Sequence, residues 1–194
     1  MPFWSILARH PSGGRVVAAH LVWIDLEMTG LDPERDFILE IATIITDDAL
    51  REVAVGPELA IAASPAQLDA MDEWNQTHHG ASGLIDRVRR SPHAMADAER
   101  LTLDFVKQHV AADAAPLCGN TIWQDRRFLA RHMPALERHL HYRNIDVSSI
   151  KELARRWRPD LAEGFTKRNA HRALADIRES IAELAYYREL FFRL

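Results

Sequence analysis

Residues 37–46, FILEIATIIT, form an almost unbroken apolar run with β-branched side chains at Ile38, Ile41, Thr43, Ile44, Ile45 and Thr46. Such side chains lose rotamer freedom in a helix and pack well on a pleated surface. The run therefore reads as a strand, and a strand apolar on both faces belongs in the middle of a sheet covered on both sides. Residues 21–27, LVWIDLE, read as a second strand, and the following TGLDPERD carries the turn residues Gly30, Asp32 and Pro33. Residues 51–55 and 58–62 continue as a meander. From Ser64 the character changes. Ser64-Pro65 has the form of an N-cap followed by proline at the first helical position. Residues 95–110 place Ala98, Leu101, Phe105 and His109 near helical spacing. APLCG (115–119) is a short strand, and 125–133 is a helix ending before Pro134. A strand follows at 142–147, then a helix over 148–158 capped by Ser148, and a last helix over 173–193 with Leu174, Ile177, Ile181 and Leu184 on one face. Strands first, then mixed helices and strands, predict a three-layer α/β domain over residues 21–194. Residues 1–20, broken by Pro11, Gly13 and Gly14, are expected to be a flexible extension.

The 194 residues suit one domain with one sizeable core. No apolar run approaches the ~20 residues of a membrane span. The single cysteine, Cys118, has no internal disulfide partner, which fits a reducing cytoplasm. The net charge of -4 argues against long duplex substrates, whose affinity comes largely from phosphate contacts with basic residues. It is compatible with a small anionic substrate held through metal ions.

The chemistry-bearing candidates are acidic. Asp25 and Glu27 stand two apart in a strand, so both carboxylates point to one face. Two acids on an otherwise apolar strand are costly unless a cation offsets them, and a hard divalent ion prefers carboxylate oxygen. A solvated strand end is the plainer reading. Asp125 sits near the start of a helix, where an acid is often only a partner of the helix dipole. Asp176 lies near the start of the last helix, five residues after His171. Five helical residues turn the direction by about 500°, a divergence of ~140° on one helix, so His171 suits a site only from the preceding loop or first turn. An ordinary exposed histidine is the alternative.

In order, Asp-x-Glu, a mid-chain Asp and His-x-x-x-x-Asp resemble the signature of the DEDD exonuclease superfamily in its histidine-bearing branch. Within it the chain resembles the oligoribonuclease family through WIDLEMTGLD (23–32), GNTIWQDRRFL (119–129), DVSSIKELARRW (146–157) and DIRESIAELAYYRE (176–189). The resemblance covers residues 21–194. It implies a ribonuclease-H-like fold with a five-stranded mixed sheet flanked by helices. It also implies a cytoplasmic 3′→5′ exoribonuclease that degrades very short RNA to 5′-mononucleotides. Asp25, Glu27, Asp125 and Asp176 would hold two divalent ions, Mg²⁺ or Mn²⁺, with His171 as general base and Asp25 bridging. A paired site stabilises charge on the attacking and leaving oxygens, and an imidazole accepts a proton near neutral pH.

By the same resemblance, Leu31 wedges between bases, Trp74 stacks, and Thr121, Arg143 and Ser148 grip a 5′ phosphate. Tyr142 reaches that phosphate in the partner subunit of a homodimer, and His79 lines the pocket. Each has a plainer alternative: Trp74 as core cover, Leu31 as a turn residue, Tyr142 and Arg143 as strand-end surface groups. Thr121 stands where family members often carry serine, and Trp123 is unexpected beside Asp125. Lys167 and Arg168 are phosphate candidates, whereas Arg155, Arg156 and Arg158 suit a solvated helix end. Glu40, the lone acid of the 37–46 run, reads equally as a supporting partner of the site or a strand-end group. Rival functions are a proofreading or tRNA-trimming exonuclease of the same branch, a non-catalytic nucleic-acid module, and a phosphatase or nuclease of unrelated metal geometry.

Overall fold

A computed structural model describes residues 20–166 and 172–192. Its centre is a five-stranded mixed sheet of order β3-β2-β1-β4-β5. The strands are β1 (Leu21–Met28), β2 (Ile38–Thr46), β3 (Glu52–Ala60), β4 (Pro116–Gly119) and β5 (His141–Asp146). β1, β2 and β3 are joined antiparallel, while β4 and β5 run parallel to β1. The apolar run of β2 is buried at every position, as expected of a strand covered on both faces. β3 is one strand and not two segments. Gly56 and Pro57 lie inside it, tolerated because β3 is an edge strand whose outer amides need no ladder partner.

One face of the sheet packs on α4 (Met95–His109), α5 (Ile122–His132) and α6 (Pro134–His139) through Val22, Ile24, Leu26, Ile41 and Ile45. The other packs on α7 (Val147–Trp157) and α9 (Ala173–Leu190) through Trp23, Ala42, Ile44 and Cys118. A third cluster gathers Leu39 with Leu68 of α1 (Pro65–Asp69), Met71, and Leu84 and Val88 of α3 (Leu84–Arg90), while α2 (Glu73–Ala81) packs against α3. The turn α8 (Pro159–Ala162) follows α7. Ser64 caps α1 as its sequence predicts, accepting from the Gln67 amide while Gln67 returns a bond to the Ser64 amide.

Three details differ from expectation. The buried stripe of α4 is Ala98, Thr102 and Val106, one position along from the stripe through Leu101 and Phe105. Helix α5 starts at Ile122, three residues early, because Thr121 adopts a left-handed conformation (φ 53°) that turns the chain straight out of β4. The cap of α7 is Asp146 and not Ser148; its side chain accepts from the Ser148 amide. Among the described residues no helix is long and apolar enough to cross a membrane.

Candidate active site

Alternation along β1 sends Val22, Ile24 and Leu26 into the α4–α6 layer and Trp23 into the α7–α9 layer. Asp25 and Glu27 share the face of Trp23, so both acids look toward α9. Helix α9 lies against the sheet through Ala173 and Ile177, which brings its first-turn acid, Asp176, over β1. Oxygens of Asp25, Glu27 and Asp176 all lie within 4.8 Å of one another. Asp176 is also fixed at its base, since its Oδ2 accepts from the Arg172 amide at 3.0 Å.

Asp125 arrives from the other side. The parallel pairing of β4 with β1 spans only Val22 and Trp23. Beyond Gly119 the chain leaves as α5, and among the described residues the edge of β1 lacks a strand partner there. Asp125, in the first turn of α5, supplies the missing acceptor: its Oδ1 takes the Leu26 amide at 3.1 Å. Leu26 lies between Asp25 and Glu27, so Asp125 stands at the same point of the strand, on its edge.

The electrostatics are those of crowded, half-dry acids. Burial pushes the Glu27 carboxyl up to about 7, with Asp176 and Glu40 adding repulsion and Arg87 opposing it. Burial likewise pushes Asp125 up to about 7, against the lowering effect of backbone amides, with Glu27 and Asp146 adding repulsion. Glu40 is paired across the ladder with Glu27, fully buried, and bound by the Arg87 guanidinium. Its complete burial sets aside the reading as a strand-end group. His79 is buried, with Nε2 2.9 Å from the Met28 carbonyl and Nδ1 3.8 Å from Glu27 Oε2. It stands behind Glu27 and is not among the residues lining the cavity of Leu31 and Trp74. The three clustered carboxylates are a purely hard-oxygen donor set that repels itself without a cation. It fits a hard divalent cation.

Two surface features flank the acids. Leu31, 72% exposed, and Trp74, 58% exposed, line one cavity of about 810 Å³ with Gly30, Arg35 and Asn75. Neither side chain covers core. Gln124 holds the loop by donating to the Leu31 carbonyl at 2.6 Å. The second feature lies where the starts of α5 and α7 meet. The Thr121 and Ser148 hydroxyls are 3.1 Å apart. Asp146 accepts from both of their amides. Ser148 Oγ donates to Asn120 Oδ1, Asn120 Nδ2 to Ser180 Oγ, and Ser180 Oγ to the Asp176 carbonyl. A continuous line of hydrogen bonds thus runs from Thr121 to the turn that carries Asp176.

Tyr142 and Arg143 are exposed on the edge strand β5. The Arg143 guanidinium lies 5.5 Å from the Tyr142 ring centre, and its Nε donates to the Tyr142 hydroxyl at 3.2 Å. Behind them Arg126 donates to the carbonyls of His141 and Tyr142 and to Asn144 Oδ1. Trp123 is also exposed, with the Arg127 guanidinium 5.8 Å from its ring. Arg155 and Arg156 pair with Glu152, and Arg158 pairs with Asp160, which agrees with a solvated helix end. His171, Lys167 and Arg168 lie outside the described residues. Sequence reasoning passed over Arg87, Asn120, Asp146 and Ser180. Of these only Asp146, an Asp just before a helical run, carried a local signal.

Residues 22–184 match the RNase T family, described as Exonuclease. The chain is 60% identical over 175 residues to the oligoribonuclease of Shewanella loihica, covering 90% of this chain and 97% of that one. It is 62% identical over 172 residues to that of Alcanivorax borkumensis, covering 89% and 95%. Among solved structures, exonuclease I of Methylocaldum szegediense superposes with a TM-score of 0.65 at 20% identity, covering 89% of this chain and 41% of that one. The zinc-bound complex of E. coli exonuclease I with single-stranded DNA gives 0.65 at 16% identity, covering 88% and 40%. The chain thus spans about two fifths of those longer proteins, and at such identities the likeness speaks for a shared ribonuclease-H-like fold alone. With an exonuclease profile across most of its length and relatives near 60% identity over 89–90% of it, the chain belongs to the oligoribonuclease family of exonucleases.

Proposed function

We propose that the chain is a metal-dependent 3′→5′ exoribonuclease that trims very short RNA, dinucleotides included, to 5′-mononucleotides. The observation that carries this is the convergence of Asp25, Glu27 and Asp176 within 4.8 Å, with Asp125 on the adjoining edge of β1. These four acids would hold two divalent ions, Mg²⁺ or Mn²⁺. When bound, such ions lower the pKa of water and stabilise charge on the attacking and leaving oxygens. The chain's own residues do the rest. Leu31 and Trp74 offer an apolar wedge and a stacking face for bases. The paired hydroxyls of Thr121 and Ser148, with Arg143, receive the 5′ phosphate at the starts of two helices. A grip on the 5′ phosphate favours very short substrates over long strands, and the names of the close relatives support RNA as substrate. His171 immediately precedes Arg172 in the chain and is the proposed proton acceptor. Tyr142, exposed beside Arg143, is proposed to act across a homodimer. A cytoplasmic location completes the reading.

Product analysis of 5′-phosphorylated RNA of two to seven nucleotides, with Mg²⁺ and with EDTA, tests this directly. Mononucleotides released from every length, fastest from the shortest and only with metal, are expected. A strong preference for a 20-nucleotide strand in competition with a dinucleotide would favour the proofreading or tRNA-trimming alternative. No metal-dependent release would remove the enzymatic reading.

A further inference from the structure

Glu40 is a charged side chain with no solvent exposure, and the chemistry proposed above does not use it. Burying a carboxylate costs several kcal/mol unless partners hold it. Two groups do so here, on two different elements. The Arg87 guanidinium, on α3, binds Oε1. The amide of Ala173, the first residue of α9, lies 3.5 Å from Oε2. These partners are 47 and 133 positions away in sequence. Ala173 opens the turn that carries Asp176, and the N-cap of that helix, Arg172, makes no side-chain capping bond. The unpaired amides of a helix start favour a nearby anion, and Glu40 provides one from inside the sheet.

The ion pair is not arranged for stability alone. Among the described residues, Arg87 Nη2 is buried without a hydrogen-bond partner, an arrangement that costs free energy. Buried pairs of this kind often add little net stability compared with apolar residues. We infer that Glu40 and Arg87 form a positioning pair: Glu40, held by Arg87, pins the first turn of α9 and so sets Asp176 against Asp25 and Glu27. This rests on reading those three carboxylates as a cation site.

The test is calorimetric titration of Mn²⁺ into the full chain without RNA, for wild type, Glu40→Gln, Arg87→Lys and Asp25→Asn. Glu40→Gln keeps the shape and removes the charge. Arg87→Lys keeps the charge and removes the fork. The pair predicts a Kd for Mn²⁺ raised roughly tenfold in Glu40→Gln, as is typical for groups that orient metal ligands. It predicts a smaller rise of the same sign in Arg87→Lys, with far-ultraviolet circular dichroism unchanged. A purely structural pair would lower the unfolding temperature and leave Kd alone. Values within twofold of wild type in both variants, while Asp25→Asn loses binding, would overturn the inference and leave the cation site standing. Should Asp25→Asn bind as wild type does, the cation site falls, and the pair has nothing to position. If Glu40→Gln does not fold, Arg87→Lys decides by the same criterion.

Discussion

A single carboxylate at position 25 separates chemistry from architecture. Asp25 is half-buried beside Glu27 and Asp176, and asparagine keeps its shape while removing its charge. Asp25→Asn is therefore expected to fold normally and to lose more than about a hundredfold in kcat at saturating Mg²⁺, the scale on which losing one preorganised electrostatic group is felt. Steady-state kinetics with circular dichroism as the folding control checks this. At Arg143 the expectation is selective. Its exposed guanidinium would contact only a 5′ phosphate, so Arg143→Ala should weaken 5′-phosphorylated dinucleotides by about 10- to 100-fold, the worth of a charge-assisted bond. Dinucleotides lacking that phosphate should change little, and equal losses for both would count against the pocket. Asp25 and Glu27 were legible as a pair because strand alternation alone puts them on one face. The tie between Glu40 and Arg87 was not, because no local pattern joins positions 47 apart.

Strand β4 is only four residues long, and its shortness gives Asp125 a structural duty. Asp125→Ala removes the acceptor of the buried Leu26 amide and should cost about 1–3 kcal/mol in urea unfolding. Asp125→Asn, which keeps a carbonyl oxygen, should recover most of that stability and none of the activity. Sequence reasoning placed Asp125 at a helix start and offered the helix dipole as its plain role. The bond to β1 was beyond reach, because it depends on where β4 stops. Among the elements, β1, β2 and α9 declared themselves through strand alternation, β-branched density and helical periodicity. The helices α1 to α3 were hidden apart from the Ser64 cap, being five to nine residues long with little apolar periodicity. Leu39 locks that layer to the sheet from a register shift in β2, an irregularity no periodic template contains.

The molecule as a whole carries its acids at the expense of stability. Glu27 and Asp125 sit at about 7 in the folded chain, above their ordinary values of 4.5 and 3.8. Between those limits the folded state binds more protons than the unfolded one, so stability falls as pH rises. Without divalent ions, the thermal midpoint should be highest near pH 4–5, decline through pH 7, and level off above it. With Mg²⁺ in excess the trend should weaken or reverse, because the ion binds only the deprotonated acids of the folded state. Thermal scans at pH 5, 6, 7 and 8, in EDTA and in Mg²⁺, check both signs. A rise in the midpoint from pH 5 to 7 in EDTA would contradict the assigned electrostatics. The three-layer plan itself was readable from the order of strands and helices, since each apolar face must be covered by some other element.

The line from Thr121 to Asp176 also has a direction. Ser180 gives its only hydroxyl proton to a backbone carbonyl, so it must accept from Asn120, and this fixes which way the Asn120 amide is turned. Ser148 in turn gives its proton to Asn120 and can only accept from Thr121. Along the row, Thr121 alone keeps a hydroxyl proton that can swing outward to a newcomer without breaking a link further in. A rotor at the rim, backed by a file of committed protons, would let the proposed phosphate pocket greet an anion while the floor of the site stays still.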